Sequence, residues 1–231
     1  MARTVFALPG TFCAPLVFEP LQQLLGPRFE VRALSWMTDA ADRSLSGAAE
    51  WVAGLISAPA IVMGHSTGGA IALQLAATRP DLVSGLMLLN TGPNMKCHGD
   101  VASLIEDMER NGTAEVVDAV LERSFRTSPT PDDLRRLRDY GRSIPLVAAL
   151  EALRSQHVID LEPELASLRM PVSVVHGRFD PVRSLNVAEG MAEGAPDSSL
   201  RIVEAGHSPM YEVPDAVADV LDELARRVAN R

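Results

Sequence analysis

The pentapeptide Gly64-His65-Ser66-Thr67-Gly68 sets a serine between glycines, after a short apolar run (60–63) and before an Ala/Leu-rich stretch (70–77). A G-x-S-x-G segment between strand and helix makes a sharp turn that lifts the central hydroxyl off the sheet as a nucleophile. The turn is so tight that only glycine fits at its flanks. Chance at average composition yields the pattern roughly 0.07 times in a chain of this length, so its meaning depends on the groups that could activate the serine. A serine hydroxyl is a poor nucleophile at neutral pH. It needs a base within hydrogen-bond reach, and that base needs an acceptor to hold its tautomer.

Five histidines could supply the base: His65, His98, His157, His176 and His207. His65 adjoins Ser66, and at a sharp turn its side chain is expected to point away from the serine. His98 and His157 could contact ligand but read better as solvated surface groups, while His176 closes a strand. His207 stands in Gly206-His207-Ser208-Pro209, a loop after the last strand and before the last helix, from which it can reach over the sheet edge toward Ser66. The acid is expected at another strand end. Asp180 follows the fifth strand in His176-Gly177-Arg178-Phe179-Asp180-Pro181-Val182, where it could equally be a turn or helix-capping aspartate. The fourth strand ends on Asn90 and offers no carboxylate, which shifts the choice to Asp180. Asp160 and Asp197 are placed worse.

These groups need a frame that brings strand ends together. Short apolar runs alternate with helical patterns, as in βαβ units with a parallel sheet. Strands are predicted over 4–8, 29–34, 60–63, 85–90, 172–176 and 200–203. Helices are predicted over 18–25, 44–56, 67–78, 185–193 and 214–228, the third ended by Pro80. From Pro93 to Leu168 no strand is evident, and four helical patterns (101–110, 114–125, 131–140, 145–155) follow one another. An inserted helical cap over 93–168 is the expectation, with a core of 1–92 and 169–231. A long crossover that serves only burial is the alternative. Insertions at the carboxyl ends of strands sit where open α/β sheets bind ligands.

Composition narrows the classes. The chain has 231 residues, 47 % hydrophobic and 22 % charged, with a formal charge of -9. That charge argues against nucleic acid or an anionic membrane as partner, which requires a basic face. The apolar stretch 60–77 is broken by polar residues and is not a membrane span. The N-terminal apolar run is short and cut by Pro9 and Gly10, so no signal peptide is read and a cytoplasmic location is the default. Cys13 and Cys97 lie far apart, form no metal cluster, and read as free thiols.

The order Ser66, Asp180, His207 is that of one hydrolase architecture and not of the chymotrypsin or subtilisin types. With their flanking motifs, these residues resemble the α/β-hydrolase superfamily along the whole chain except the cap. The chain is most similar to small cap-bearing esterases and lactonases, such as the pimeloyl-carrier-protein methyl esterase and 3-oxoadipate enol-lactonase groups. The resemblance implies an α/β-hydrolase fold with a mostly parallel sheet of about six strands. It departs from the usual pattern in starting almost directly on the first parallel strand and in reading Leu8-Pro9-Gly10-Thr11-Phe12 where His-Gly is common. A backbone donor needs no histidine side chain, so the N–H groups of Thr11 and Thr67 are expected to form the oxyanion hole.

The expected reaction is hydrolysis of a carboxylic ester of a small apolar molecule through an acyl-enzyme, without metal or organic cofactor. Lactonase, carbon–carbon hydrolase, thioesterase and cofactor-free perhydrolase chemistry fit the same three residues, and a receptor-like binding protein is the non-enzymatic alternative. Phe12 is expected to wall the pocket. Met95, Leu104, Met108, Phe125, Leu146 and Leu150 could line it or form the cap's own core. Trp36 could border the pocket or cover the sheet edge. The residues specify no oligomeric state.

Overall fold

A computed structural model describes residues 3–96 and 98–231; Cys97, read above as a free thiol, lies outside them. The apolar runs become six strands: β1 (Arg3–Leu8), β2 (Phe29–Ala33), β3 (Ala60–His65), β4 (Val83–Leu89), β5 (Val172–Gly177) and β6 (Ser198–Val203). They form one sheet in the order β2-β1-β3-β4-β5-β6, and every neighbouring pair is parallel. β3 and β5 are buried at every position, as parallel strands covered on both faces must be. The edge strands β2 and β6 alternate between more and less exposed positions.

Helices α1 (Glu19–Leu25), α2 (Trp36–Asp39), α3 (Leu45–Leu55), α4 (Thr67–Thr78), α5 (Val101–Asn111), α6 (Ala114–Ser124), α7 (Pro131–Ser143), α8 (Leu146–Val158), α9 (Leu185–Gly194), α10 (Pro209–Glu212) and α11 (Pro214–Ala229) complete the chain. α11 illustrates the local code. Pro214 opens it, Asp215 lies in its first turn, and Arg226 and Arg227 lie in its last, each suited to the helix dipole. Val217, Ala218, Val220, Leu221, Leu224 and Ala225 make the buried stripe that packs on β4 and β5. α3 and α4 pack on each other, and α4 lies against β1, β3 and β4. Among the described residues, no helix is long and apolar enough to cross a membrane.

Two topological features position the site. β1 is followed by an excursion to β2 at the edge, after which β3 pairs on the other side of β1. The chain thus leaves the carboxyl ends of β1 and β3 in opposite directions and opens a crevice there. The second feature is the stretch between β4 and β5, which holds α5–α8 and, among its described residues, no strand. Its two roots are stitched together by a bridge between Asn94 and Asp160 and by the Leu161 N–H donating to the Pro93 carbonyl at 2.9 Å. α5 packs on α8 and α6 on α7.

Candidate active site

Ser66 sits at the turn from β3 into α4 with φ 51° and ψ −121°, a region costly for any residue with a side chain. The turn is held open to this geometry by glycines. A Cβ on Gly64 would lie 2.3 Å from the Gly68 carbonyl oxygen, and one on Gly68 would lie 2.2 Å from the Leu8 carbonyl oxygen. Close backbone approach therefore dictates both. The Ser66 carbonyl accepts from the N–H groups of Gly69 and Ala70 and from the Thr91 hydroxyl at 2.6 Å.

His207 Nδ1–H donates to Asp180 Oδ2 at 2.9 Å, and the two side chains are 5 % and 0 % exposed. In the neutral imidazole this bond selects the tautomer whose Nε2 is free to accept a proton. Asp180 Oδ1 accepts from the N–H groups of Val182 at 2.7 Å and Arg183 at 3.2 Å. Asp180 thus serves the turn through one oxygen and meets the His207 ring through the other. Burial alone would raise the carboxyl. The hydrogen bond and charge of His207, the Val182 N–H and the Asn90 amide outweigh it and lower the group to about 2. Ser66 and His207 line the same cavity. Among the described residues, no hydrogen bond joins Ser66 Oγ to the His207 ring; such contacts are often long without substrate and tighten on binding.

Two residues important to this arrangement escaped the sequence reading. Asn90, set aside for lacking a carboxylate, donates from Nδ2 to Asp180 Oδ2 at 2.7 Å and to the Gly206 carbonyl at 3.1 Å, and its Oδ1 accepts from the Gly177 N–H at 3.1 Å. It spans three strand ends with one amide. Its position at a strand terminus between the two motif strands did not by itself disclose these partners, which lie 87 to 116 residues away. His65, expected only to point away from the serine, also braces the candidate base: its Nε2–H donates to the His207 carbonyl at 2.9 Å, and the two rings lie 4.9 Å apart. Burial, followed by the nearby charge of His207, lowers His65 to about 3, so it is neutral at physiological pH.

The loop after β1 is held from beneath by α2, an element not predicted. Trp36, fully buried, does not border the cavity: its indole N–H donates to the Pro9 carbonyl at 2.9 Å. The Phe12 N–H, at a residue with φ 61°, points to Met37 Sδ at 3.2 Å. Thr67 Oγ1 donates to Gln156 Oε1 at 3.1 Å, and since each hydroxyl has one proton, Thr11 Oγ1 donates to Thr67 Oγ1 at 2.7 Å. The chain of three side chains ties the β1 loop to the start of α4 and to α8. The N–H of Thr67 belongs to the first turn of α4 and has no intrahelical acceptor.

The cavity above Ser66 has a volume of about 80 Å³ and includes Gly10, Thr11, Thr67 and His207 in its walls. Phe12 and Leu104 both line it. Met95, Phe125 and Leu146 do not. Met95 turns its sulfur to the Arg183 guanidinium at 3.1 Å, Phe125 packs edge-on against Tyr211, and Leu146 packs against the core from the start of α8. Val116, Val120 and Leu153 take the apolar positions instead. His98, expected on the solvated surface, lines the cavity; burial and the Arg183 charge lower it to about 4. Cys13 also faces it, and burial pushes its thiol up to about 12, so it stays protonated and inert.

Known proteins carry the same plan. The chain is 26 % identical over 226 residues to the pimeloyl-[acyl-carrier protein] methyl ester esterase of Nitrosomonas europaea, covering 90 % of each chain. Among solved structures it is similar to a thermophilic esterase from Thermogutta terrifontis, with a TM-score of 0.85, 22 % identity and coverage of 99 % of this chain and 91 % of the other. It is also similar to the enol-lactonase from Burkholderia xenovorans LB400, with a TM-score of 0.81, 19 % identity and coverage of 98 % and 92 %. Those two likenesses speak to the fold. The alpha/beta hydrolase family matches residues 5–220. With the parallel sheet, the serine turn after its third strand and this match in hand, the chain belongs to the alpha/beta hydrolase family and is a hydrolase.

Proposed function

We propose that the protein hydrolyses carboxylic esters with a small acyl group, with Ser66 as nucleophile, His207 as general base and acid, and Asp180 as the group that orients His207. The observation that carries this is the buried Asp180–His207 hydrogen bond of 2.9 Å beside the cavity into which Ser66 turns. His207 Nε2 takes the Ser66 proton as Oγ attacks the ester carbonyl carbon. The tetrahedral oxyanion accepts from the Thr11 and Thr67 N–H groups. His207 then protonates the departing alkoxide, and the acyl group remains on Ser66. Water, deprotonated by His207, attacks the acyl carbon and releases the acid, returning the proton to Ser66. Asp180 stays ionised throughout and stabilises the imidazolium.

The helical segment 93–168 acts as the cap of this site, giving the cavity its apolar wall through Leu104, Val116, Val120 and Leu153. At about 80 Å³ the cavity is smaller than the roughly 150 Å³ apolar cavity that admits benzene. Short acyl chains fit that volume. The methyl ester esterase relationship, at 26 % identity over nearly the full length, supports ester cleavage. The test pairs a fluorophosphonate probe with a panel of p-nitrophenyl esters, lactones, thioesters and diketones. Labelling at Ser66, turnover of acetyl and butyryl esters, and loss of both in Ser66→Ala are expected. An unlabelled serine in the folded protein overturns the mechanism, and turnover of lactones or diketones without esters overturns the substrate class.

A further inference from the structure

The loop that carries His207 is short of backbone partners, and one carboxylate supplies them. Glu212 Oε1 accepts from the Gly206 N–H at 3.1 Å and the Ser208 N–H at 3.3 Å, the two peptide groups that flank His207. Glu212 closes α10 and reaches back over its first turn in the manner of a capping-box carboxylate, one residue further along. Its other oxygen, Oε2, accepts from the Arg126 N–H at 3.0 Å, on the chain just past α6 in the helical segment. A single side chain therefore grips the His207 loop and the cap at once.

Arg126 extends the link to the acid. Its guanidinium lies 3.7 Å from the centroid of the Phe179 ring, and Phe179 immediately precedes Asp180. Tyr211, beside Glu212, adds two further contacts with the cap: its hydroxyl donates to Asp133 Oδ2 at 2.7 Å, and its ring meets Phe125 edge-on at 5.3 Å. Gly206 itself is closely approached: a Cβ there would stand 2.8 Å from the Arg126 nitrogen and 3.1 Å from Glu212 Oε1. Backbone N–H groups in a half-buried loop must find acceptors. Here the acceptor is a carboxylate whose charge strengthens each bond.

We propose that Glu212 is a positioning residue that couples the cap to the acid–base pair, holding His207 in line through Gly206 and Ser208 and registering both against Arg126. The proposal rests on the functional reading above for its catalytic consequence, and on the hydrogen bonds alone for the coupling. Loss of the carboxylate frees both N–H groups around His207 together with the cap's end of α6. Small misplacements of this kind lower turnover by about 10²-fold. Glu212→Gln retains an oxygen acceptor but turns a donor toward one of the N–H groups, so an intermediate loss follows.

The experiment compares wild type, Glu212→Ala and Glu212→Gln, with Glu204→Gln as a control on an exposed ion pair with Arg178. Deuterium exchange is followed in peptides spanning 122–130 and 203–210, and ester turnover is measured in parallel. Faster exchange in both peptides, in Ala more than Gln, is expected with the rest of the sheet protected. Turnover should fall about 10²-fold in Ala and about tenfold in Gln, at nearly constant KM. The control should match wild type in both readouts. If exchange rises in one peptide alone or in neither, the coupling is overturned. If both peptides loosen but kcat holds in an enzyme that Ser66→Ala inactivates, the positioning role is overturned. Joint loosening in the Glu212 variants, where the wild type itself lacks esterase activity, sustains the coupling and overturns only the ester mechanism.

Discussion

The carboxyl rim of the sheet and the helical segment above it are held by opposite means. At the rim, non-glycine residues with positive φ follow three adjacent strands: Phe12 after β1, Ser66 after β3 and Asn90 after β4. Their strain persists because backbone approach and satisfied hydrogen bonds over-determine it. Among its described residues, the helical segment has no non-glycine residue with positive φ. In α7 only Leu137 and Gly141 are buried, and its charged face is laced with exposed pairs such as Asp118 with Arg138 and Arg142. Pairs of that kind contribute at most about 1 kcal/mol each. On the proposed mechanism chemistry is tied to rim stereochemistry, whereas the wall of the cavity depends on side-chain identity and can change without disturbing the fold.

Substitutions at the rim should cost catalysis outright, and substitutions in the wall should only redirect it. Ser66→Ala is expected to lower kcat by about 10⁵–10⁶-fold on p-nitrophenyl acetate while the melting temperature stays near wild type. Retained turnover in that variant would remove the distinction between the regions altogether. Asp180→Asn should lower kcat about 10⁴-fold, because the amide favours the wrong imidazole tautomer. Gly68→Ala forces a Cβ against the Leu8 carbonyl; a loss of about 1–3 kcal/mol in chemical denaturation and of about 10²-fold in kcat follows. Leu104→Ala, in the wall, should leave kcat on acetyl esters within a few fold and shift preference toward longer acyl chains by about tenfold. An unchanged chain-length profile would mean that Leu104 does not meet the acyl group.

The acid side of the pH range sharpens the same contrast. Asp180 titrates at about 2 in the fold against an ordinary 3.8. Its contribution, about 2 kcal/mol, is fully present above pH 4 and is lost as pH falls toward 2. Urea midpoints should therefore drop more steeply over that window in wild type than in Asp180→Asn, which has no proton to gain. Parallel curves would show that the carboxylate's hydrogen bonds contribute no net stability.

All six strands and the nine longer helices were legible from periodicity, because a parallel sheet buried on both faces must alternate apolar runs with amphipathic stretches. The four-residue α2 and α10 were not, being too short to show a period, yet both support the site: α2 pins Pro9 and Phe12, and α10 carries Glu212. Ser66, Asp180 and His207 could be picked out as candidates since each stands in a local motif. Asn90 and His65 could not, since their roles lie in partners 90 and 142 residues away. The cavity wall failed for a related reason: apolar residues of a helical segment look alike in sequence, and whether one meets the cavity, as Leu104 does, or its own layer, as Phe125 does, depends on how the helices rotate.

Local chemistry settled what this chain could determine unaided. Glycine spacing demanded a tight turn at Ser66, and alternating patterns demanded a parallel sheet, because steric exclusion and hydrophobic periodicity act over a few residues. Which imidazole meets which carboxylate, what holds them, and how large a molecule fits beside them were decided only when distant segments packed. Those properties reside in distances of about 3 Å between groups far apart in the chain, and such distances exist only in the folded protein.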